Sequence, residues 1–206
     1  MSFQEFKFHF EDFKVFSIKD ILKWNSSFDS RRLVEWQDKG YIKKVVNRWY
    51  LFANQKRSVR LDFLTANRIY SPSYISFHSA WAFYGLIPEG VYAITSATSL
   101  KTNMFNTDVD TFTYRHIKPS LMFGYRLVDV EGNHQCKIAE PEKLLLDHLY
   151  LYADLKSSKD FESLRINQTV LKEKINTTKL AEYLRLFKNR ALEKRVKAFI
   201  NTYPLC

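Results

Sequence analysis

The sequence predicts an α+β protein. Apolar residues recur at helical spacing near both ends of the chain, while β-branched and aromatic runs crowd the middle. Gly, Pro and Asn separate those runs. With 206 residues, 46% of them hydrophobic, the chain has material for a sizeable core and length for one or two domains.

Phe3, Phe6, Phe10 and Phe13 predict a first helix of irregular spacing. "FSIKDILKWN" predicts a second, with Ser17 as N-cap, Asp20 in the capping-box position, and Ile18, Ile21 and Leu22 on one face. Asn25-Ser26-Ser27 breaks it. A third helix is expected from a Ser27 cap to about Lys39, with Leu33 and Trp36 inward and Gly40 ending it. "YIKKVV" and "WYLF" then predict two strands around an Asn47-Arg48 turn. Helix, short turn, helix and hairpin is the order of a winged helix-turn-helix. "NQKRSVRLDFLTANRIY" predicts a basic connecting helix, which places a domain boundary near Ser71-Pro72, between 1–70 and 71–206.

In the second part, Tyr74-Ile75-Ser76 is an extended lead-in to a helix over 80–84, capped by Ser76 or Ser79 and ended by Gly85. "VYAITSATS", "TFTYRHI", "YRLVDV" and "HQCKIA" predict strands, the last two joined by a Glu131-Gly132-Asn133 turn. "PEKLLLDHLYLYA" predicts a helix with Pro141 in its first turn and a buried stripe of Leu144, Leu145, His148, Leu149 and Tyr152. Strands and helices run to about 153, and 154–206 is a helical tail with Leu180, Leu184, Phe187, Ala191, Val196, Phe199 and Ile200 facing inward.

Charge is segregated. Residues 14–68 carry thirteen cations against five anions and residues 154–206 twelve against six, whereas 69–153 is slightly acidic; the total is +10. Basic flanks around a near-neutral middle suit a polyanionic partner. No apolar run reaches the roughly 18 residues of a transmembrane helix, and "MSFQEFKFHFEDF" is too acidic and interrupted for a signal peptide. Two cysteines, Cys136 and a loose terminal Cys206, build neither a disulfide framework nor a four-ligand zinc site, so a reduced cytoplasmic compartment is expected.

A recognition helix reads bases from its N-terminal half. Here those positions hold Ser27, Ser30, Arg31 and Arg32, beside Asp29. Arginine can donate two parallel bonds to guanine, and serine can reach a phosphate or a base edge. Lys43 and Lys44 on the first hairpin strand and Arg48 at the turn complete a candidate surface for double-stranded DNA; strand alternation lets only one of the two lysines face it. The plainer alternative makes Arg31 and Arg32 a solvated face paired with Glu35. Trp36, Trp49 and Tyr50 are expected in the core.

Arg115, His116 and Lys118, flanked by Tyr114 and Tyr125, form a second candidate binding surface, unless Arg115 pairs with Glu89 or Asp129. In the tail, Arg185, Lys188, Arg190, Lys194, Arg195 and Lys197 read mainly as solubilising charge. Enzyme motifs are absent from the sequence: there is no HExxH, no Walker lysine loop, no dinucleotide glycine pattern and no nucleophile elbow. His134 and Cys136 share a strand face, with Cys136 expected as a small hydrophobe. Asp108/Asp110 and Asp129/Glu131 read as surface turns rather than metal ligands. No catalytic residue, metal or cofactor is expected.

Three blocks in order, "YISFHSAWAFYGLIPEGVYAITSATS", "FTYRHIKPSLMFGY" and "AEPEKLLLDHLYL", resemble the AbiEi-like antitoxins. That family comprises regulators of viral-defence operons paired with a nucleotidyltransferase toxin in type IV toxin–antitoxin modules. The resemblance spans roughly residues 14–153. It implies an N-terminal winged helix that represses its own operon and a C-terminal domain that neutralises the toxin without a stable complex. It supplies no catalytic residue. Asn47-Arg48 stands where relatives tend to have glycine in the hairpin turn; Asn tolerates the left-handed conformation. A protein-docking module that binds an acidic partner, and a stand-alone regulator without a toxin, are the alternatives.

Overall fold

The computed structural model describes every residue except Val91, Gly132 and Cys206, and it is α+β. Helix α1 (Phe3–Phe10) opens with a capping box: Ser2 Oγ accepts the Glu5 N–H at 3.2 Å and Glu5 accepts the Ser2 N–H at 2.6 Å. After a 3-10 turn, the chain reverses at Lys14 (φ 63) into strand β1 (Val15–Ser17). The expected Ser17/Asp20 box starts α2 (Ile18–Trp24). Then come α3 (Arg31–Asp38), β2 (Ile42–Val46) and β3 (Trp49–Phe52), and the three strands pair antiparallel in the order β1-β3-β2. β1 was not expected. Three residues carry no periodicity of their own, and pairing with β3 makes them a strand.

α3 begins at Arg31 rather than after Ser27. Asn25 is the reason. Its Oδ1 accepts the Ser27 N–H at 3.0 Å, which folds Ser27 into an Asx turn, and Asp29 Oδ1 accepts the Arg31 N–H instead, also at 3.0 Å. At the hairpin the positive φ falls on Arg48 (φ 69), not on Asn47, while Gly40 (φ 69) ends α3 as expected.

This small sheet is buried on both faces. Phe16, Ile42, Tyr50 and Phe52 pack with Phe6, Phe10, Phe28, Leu33 and Trp36 in an aromatic core, whereas Val15, Val45 and Leu51 join a second, larger core. That larger core surrounds six strands: β4 (Ser73–Ile75), β5 (Ile94–Thr98), β6 (Asn103–Asn106), β7 (Thr111–His116), β8 (Tyr125–Val130) and β9 (His134–Ala139). Their order is β6-β7-β5-β4-β9-β8, with β5–β7 and β4–β9 parallel and the other pairs antiparallel. β6 was not expected either; as an edge strand it leaves Met104 exposed, so its sequence carries little alternation.

Helix α4 (Val59–Ile69) covers one face of this sheet: Tyr114 Oη donates to the Ala66 carbonyl at 2.7 Å. Helix α6 (Pro141–Leu151) covers the other, where Tyr74 Oη donates to Asp147 at 2.7 Å. The register sets Ser96 beside Tyr114, and Ala97 beside Tyr74 and Arg115, so the two tyrosines stand on opposite faces. Helix α5 (Phe77–Phe83) starts three residues earlier than expected, and Ser76 does not cap it, because its Oγ donates to Asp147 at 3.0 Å. Helices α7 (Ser158–Glu162), α8 (Gln168–Lys174), α9 (Thr177–Phe187) and α10 (Arg190–Thr202) complete the chain, with α9 and α10 against α6. α6 is therefore buried all round, not along one stripe: Glu142, Lys143 and Asp147 lie in the interior with the leucines. Part of the expected turn before β9, Gly132, lies outside the described residues, as does the terminal Cys206.

Polar bonds bind the two sheets. Arg68 on α4 donates to the carbonyls of Phe13 (3.1 Å) and Val15 (2.9 Å), and the His134 ring bridges Arg68 and the Asp12 carbonyl. Gly124 marks a tight approach. A Cβ there would lie 2.8 Å from Tyr183 Cε2 and 3.0 Å from Lys143 Cβ, and its φ is +66. Gly124→Ala is expected to cost about 1–3 kcal/mol through strain and overpacking, measurable by urea denaturation; an unchanged midpoint would contradict it.

Candidate functional site

α3 buries Leu33 and Trp36 and leaves Ser30, Arg31, Val34, Glu35 and Asp38 exposed. The paired arginines part company, because adjacent helix positions point about 100° apart. Arg31 is 90% exposed and clasps Asp29 at 2.9 Å, an arrangement that holds the Asp29 carboxyl below its usual range through hydrogen bonds from Arg31. Arg32 turns back, half-buried, and donates to the Met1 carbonyl at 2.7 Å. Neither meets Glu35, which binds Lys39 at 2.6 Å. Val34, 57% exposed on the same face, is a residue the sequence reading passed over; an apolar group there could contact a thymine methyl. Ser27 is exposed in the turn before α3.

Lys43 and Lys44 are both exposed and, by alternation, point to opposite faces of the small sheet. The register shifts between Lys44 and Val46, and Val45, on the face of Lys43 and Leu51, joins the larger core. Arg48 is exposed at the turn, and its carbonyl accepts the Ile18 N–H at 3.0 Å, which fixes the hairpin turn against the start of α2.

The second expected surface does not converge. Arg115 faces the α6 side, its guanidinium 6.0 Å from the Tyr152 ring centre. The next residue, His116, faces the opposite side, with Nδ1 2.8 Å from the Leu100 carbonyl. Lys118 is exposed in the following loop. Glu89 binds Arg165 at 2.7 Å and Asp129 accepts from Gln135 at 2.9 Å, so Arg115 pairs with neither acid. Tyr114 is buried, and Tyr125 stacks on Tyr74 with ring centres 5.3 Å apart.

Cys136 is buried, and burial pushes its thiol up to about 11, which leaves it protonated at neutral pH. Asp110 lies 3.5 Å from Arg57, which also binds Asp62 at 2.6 Å; burial outweighs that contact and pushes Asp62 up to about 6. Among the described residues no three His, Cys, Asp or Glu side chains are grouped to hold a metal.

A polar cluster that sequence reading missed lies inside the sheet–α6 layer. Lys143 Nζ donates to Asp147 and, at 2.7 Å, to Tyr74 Oη, while Tyr74 and Ser76 donate to the other Asp147 oxygen. The i,i+4 spacing of Lys143 and Asp147 was its one visible signal. The chain is thus an α+β protein in which a small N-terminal helix-and-hairpin unit is docked on a six-stranded, helix-covered sheet. No family model matches it, and no curated protein does. Among the described residues no helix is long and apolar enough to cross a membrane.

Proposed function

We propose that the protein is a DNA-binding autorepressor and antitoxin of a type IV toxin–antitoxin operon, acting in the cytoplasm against a nucleotidyltransferase toxin, with residues of the N-terminal unit folded as a winged helix-turn-helix. The observation that carries the DNA reading is the element order α1-β1-α2-α3-β2-β3 with an exposed α3 and an arginine-tipped hairpin. The cation excess of residues 14–68 supports it. The antitoxin assignment rests on the three sequence blocks alone. In this reading Arg31 exchanges its solvent-exposed partner Asp29 for a base edge or phosphate, an exchange that costs little because exposed ion pairs are weak. Ser30 and Val34 touch the same groove. Lys44 or Lys43, together with Arg48, holds the backbone. Arg32 is reassigned to bracing the chain start.

A second reading, a protein-docking module, draws on Val34, Glu35 and Asp38, which make the exposed α3 face partly apolar and acidic. Fluorescence anisotropy on DNA from immediately upstream of the protein's own gene, against a scrambled duplex over a salt series, separates the two. The repressor reading expects about tenfold preference for the native duplex and a logarithmic salt slope of about −0.9 per phosphate contact. Arg31→Ala should remove the preference. Lys43→Ala/Lys44→Ala/Arg48→Ala should weaken both duplexes alike and flatten the slope. Failure of both duplexes to bind near physiological salt would instead leave protein docking.

A further inference from the structure

We propose that a cavity between α5, α6 and the segment 163–166 holds the base of a mononucleotide, whose phosphate lies outside it toward Arg115. The cavity measures about 200 Å³ and is walled by His78, Trp81, Ile87, His148, Leu164 and Ile166, with Glu89 and Ser163 at its exposed edge. Apolar walls with a few convergent polar groups are the usual make-up of a small-molecule site. For scale, a cavity of about 150 Å³ takes a benzene, so one planar heterocycle fits here and a sugar-phosphate does not.

The polar groups define what enters. His148 is 2% exposed, and the Trp81 indole N–H points at its Nδ1 at 3.2 Å. An indole can only donate, so Nδ1 accepts and the proton of the neutral ring sits on Nε2. Burial, reinforced by His78, keeps that ring neutral, pushing it down to about 3. Among the described residues Nε2–H donates to nothing, though the ring lines the cavity. That N–H is open to the cavity, where a ligand acceptor such as a ring nitrogen or carbonyl can take it. Glu89 offers the complementary acceptor for an exocyclic amine or ring N–H. Donor and acceptor on one small planar wedge is the edge chemistry of a nucleobase.

The surroundings select an anion outside the cavity. Tyr152 lies over His148, with ring centres 4.5 Å apart, and edge-on to His78 at 6.2 Å; Arg115 stands above Tyr152. Arg115 makes no ion pair among the described residues. Arg165, whose neighbours Leu164 and Ile166 line the cavity, neutralises the Glu89 carboxylate at its edge, and Arg115 carries no such counter-charge. Arginine is the side chain best shaped for phosphate. The site belongs to the six-stranded unit and does not depend on α3 reading DNA.

Isothermal titration calorimetry on the full chain with AMP, GMP, CMP and UMP, the matching nucleosides, and inorganic phosphate tests this. At least one nucleotide should bind one to one, its nucleoside about tenfold more weakly, and phosphate not measurably at millimolar concentration. Arg115→Gln should bring the nucleotide to the level of its nucleoside. His148→Phe should abolish both, and Ser163→Phe, at an exposed position that fills the edge of the cavity, should do so even where the buried variant fails to fold. No binding by any nucleotide, phosphate binding as tight as the nucleotide, or affinity indifferent to Ser163→Phe and Arg115→Gln would overturn the proposal.

Discussion

Asp147→Ala is expected to destabilise the protein by about 3–5 kcal/mol, the scale on which removing one partner strands a buried charge. Lys143 and Asp147 both have fully buried side chains. The ammonium is enclosed by the rings of Tyr74, Phe123 and Phe187, whose centres lie 5.2, 5.2 and 5.1 Å away. Without Asp147, the Tyr74 and Ser76 hydroxyls lose their acceptor as well. Burial already pushes the Lys143 pKa down, and Asp147 is what opposes that fall. The variant should therefore acquire a pH dependence of definite sign. A lysine whose folded-state pKa is depressed favours the unfolded chain wherever the unfolded chain binds more protons. Stability should thus rise as pH increases from 7 toward 10, as the unfolded lysine deprotonates too. Lys143→Met/Asp147→Leu should recover a substantial part of the loss, since an apolar pair carries no stranded charge. Urea denaturation of Lys143→Met, Asp147→Leu and the double variant completes the cycle, with Asp147→Ala beside them. Single variants within about 1 kcal/mol of the parent would mean that the cluster is not held as a buried ion pair.

Local devices were legible in the sequence. The Ser17/Asp20 box, Gly40 at φ 69 and Pro141 in the first turn of α6 each act within a few residues of themselves, so their neighbours in sequence suffice to identify them. The same locality misled at Ser27, where Asn25 and Asp29 offered rival side-chain oxygens and geometry chose between them. β1 and β6 owe their existence to partners far along the chain, and no window around residues 15–17 or 103–106 contains them. For α6, hydrophobic periodicity gave one stripe because charged residues occupy the rest. Lys143 and Asp147 are interior because they meet Tyr74 and Ser76 of the sheet, partners far along the chain, while α9 and α10 cover the helix as well. At the candidate interface, the divergence of Arg31 from Arg32 followed from helix geometry. The alternation applied to Lys43 and Lys44 would also have separated Arg115 from His116. The cavity beside His148 was beyond reach, because Trp81 and His148 stand 67 positions apart and meet through α5 packing on α6.

Phe6→Ala should melt the N-terminal unit while the six-stranded unit stays folded. Phe6 has no solvent exposure and touches five aromatic rings: Trp36 at 4.6 Å, Phe10 at 4.8 Å, Phe16 at 5.3 Å, Phe52 at 6.0 Å and Phe28 at 6.1 Å. Truncating such a side chain typically costs about 3–5 kcal/mol, a large share of what a unit this small can muster. The aromatic core shares no buried residue with the larger one; Val15, Val45, Leu51 and the Arg68 bonds join the units at their boundary. Calorimetry should accordingly resolve two transitions, and hydrogen exchange should show lost protection across α1 to β3 with protection kept in β4, β5 and β7. Leu33 and Trp36 anchor α3 on the Phe6 cluster, so the exposed row of Ser30, Arg31 and Val34 loses its footing with it. DNA binding should then vanish while nucleotide binding beside His148 persists, which tests the separateness of the two sites in one variant. A single cooperative transition at a lower temperature would show the opposite: that Val15, Val45 and Leu51 fuse the two cores into one folding unit, and that the orientation of α3 is set by the whole molecule rather than by the aromatic cluster beneath it.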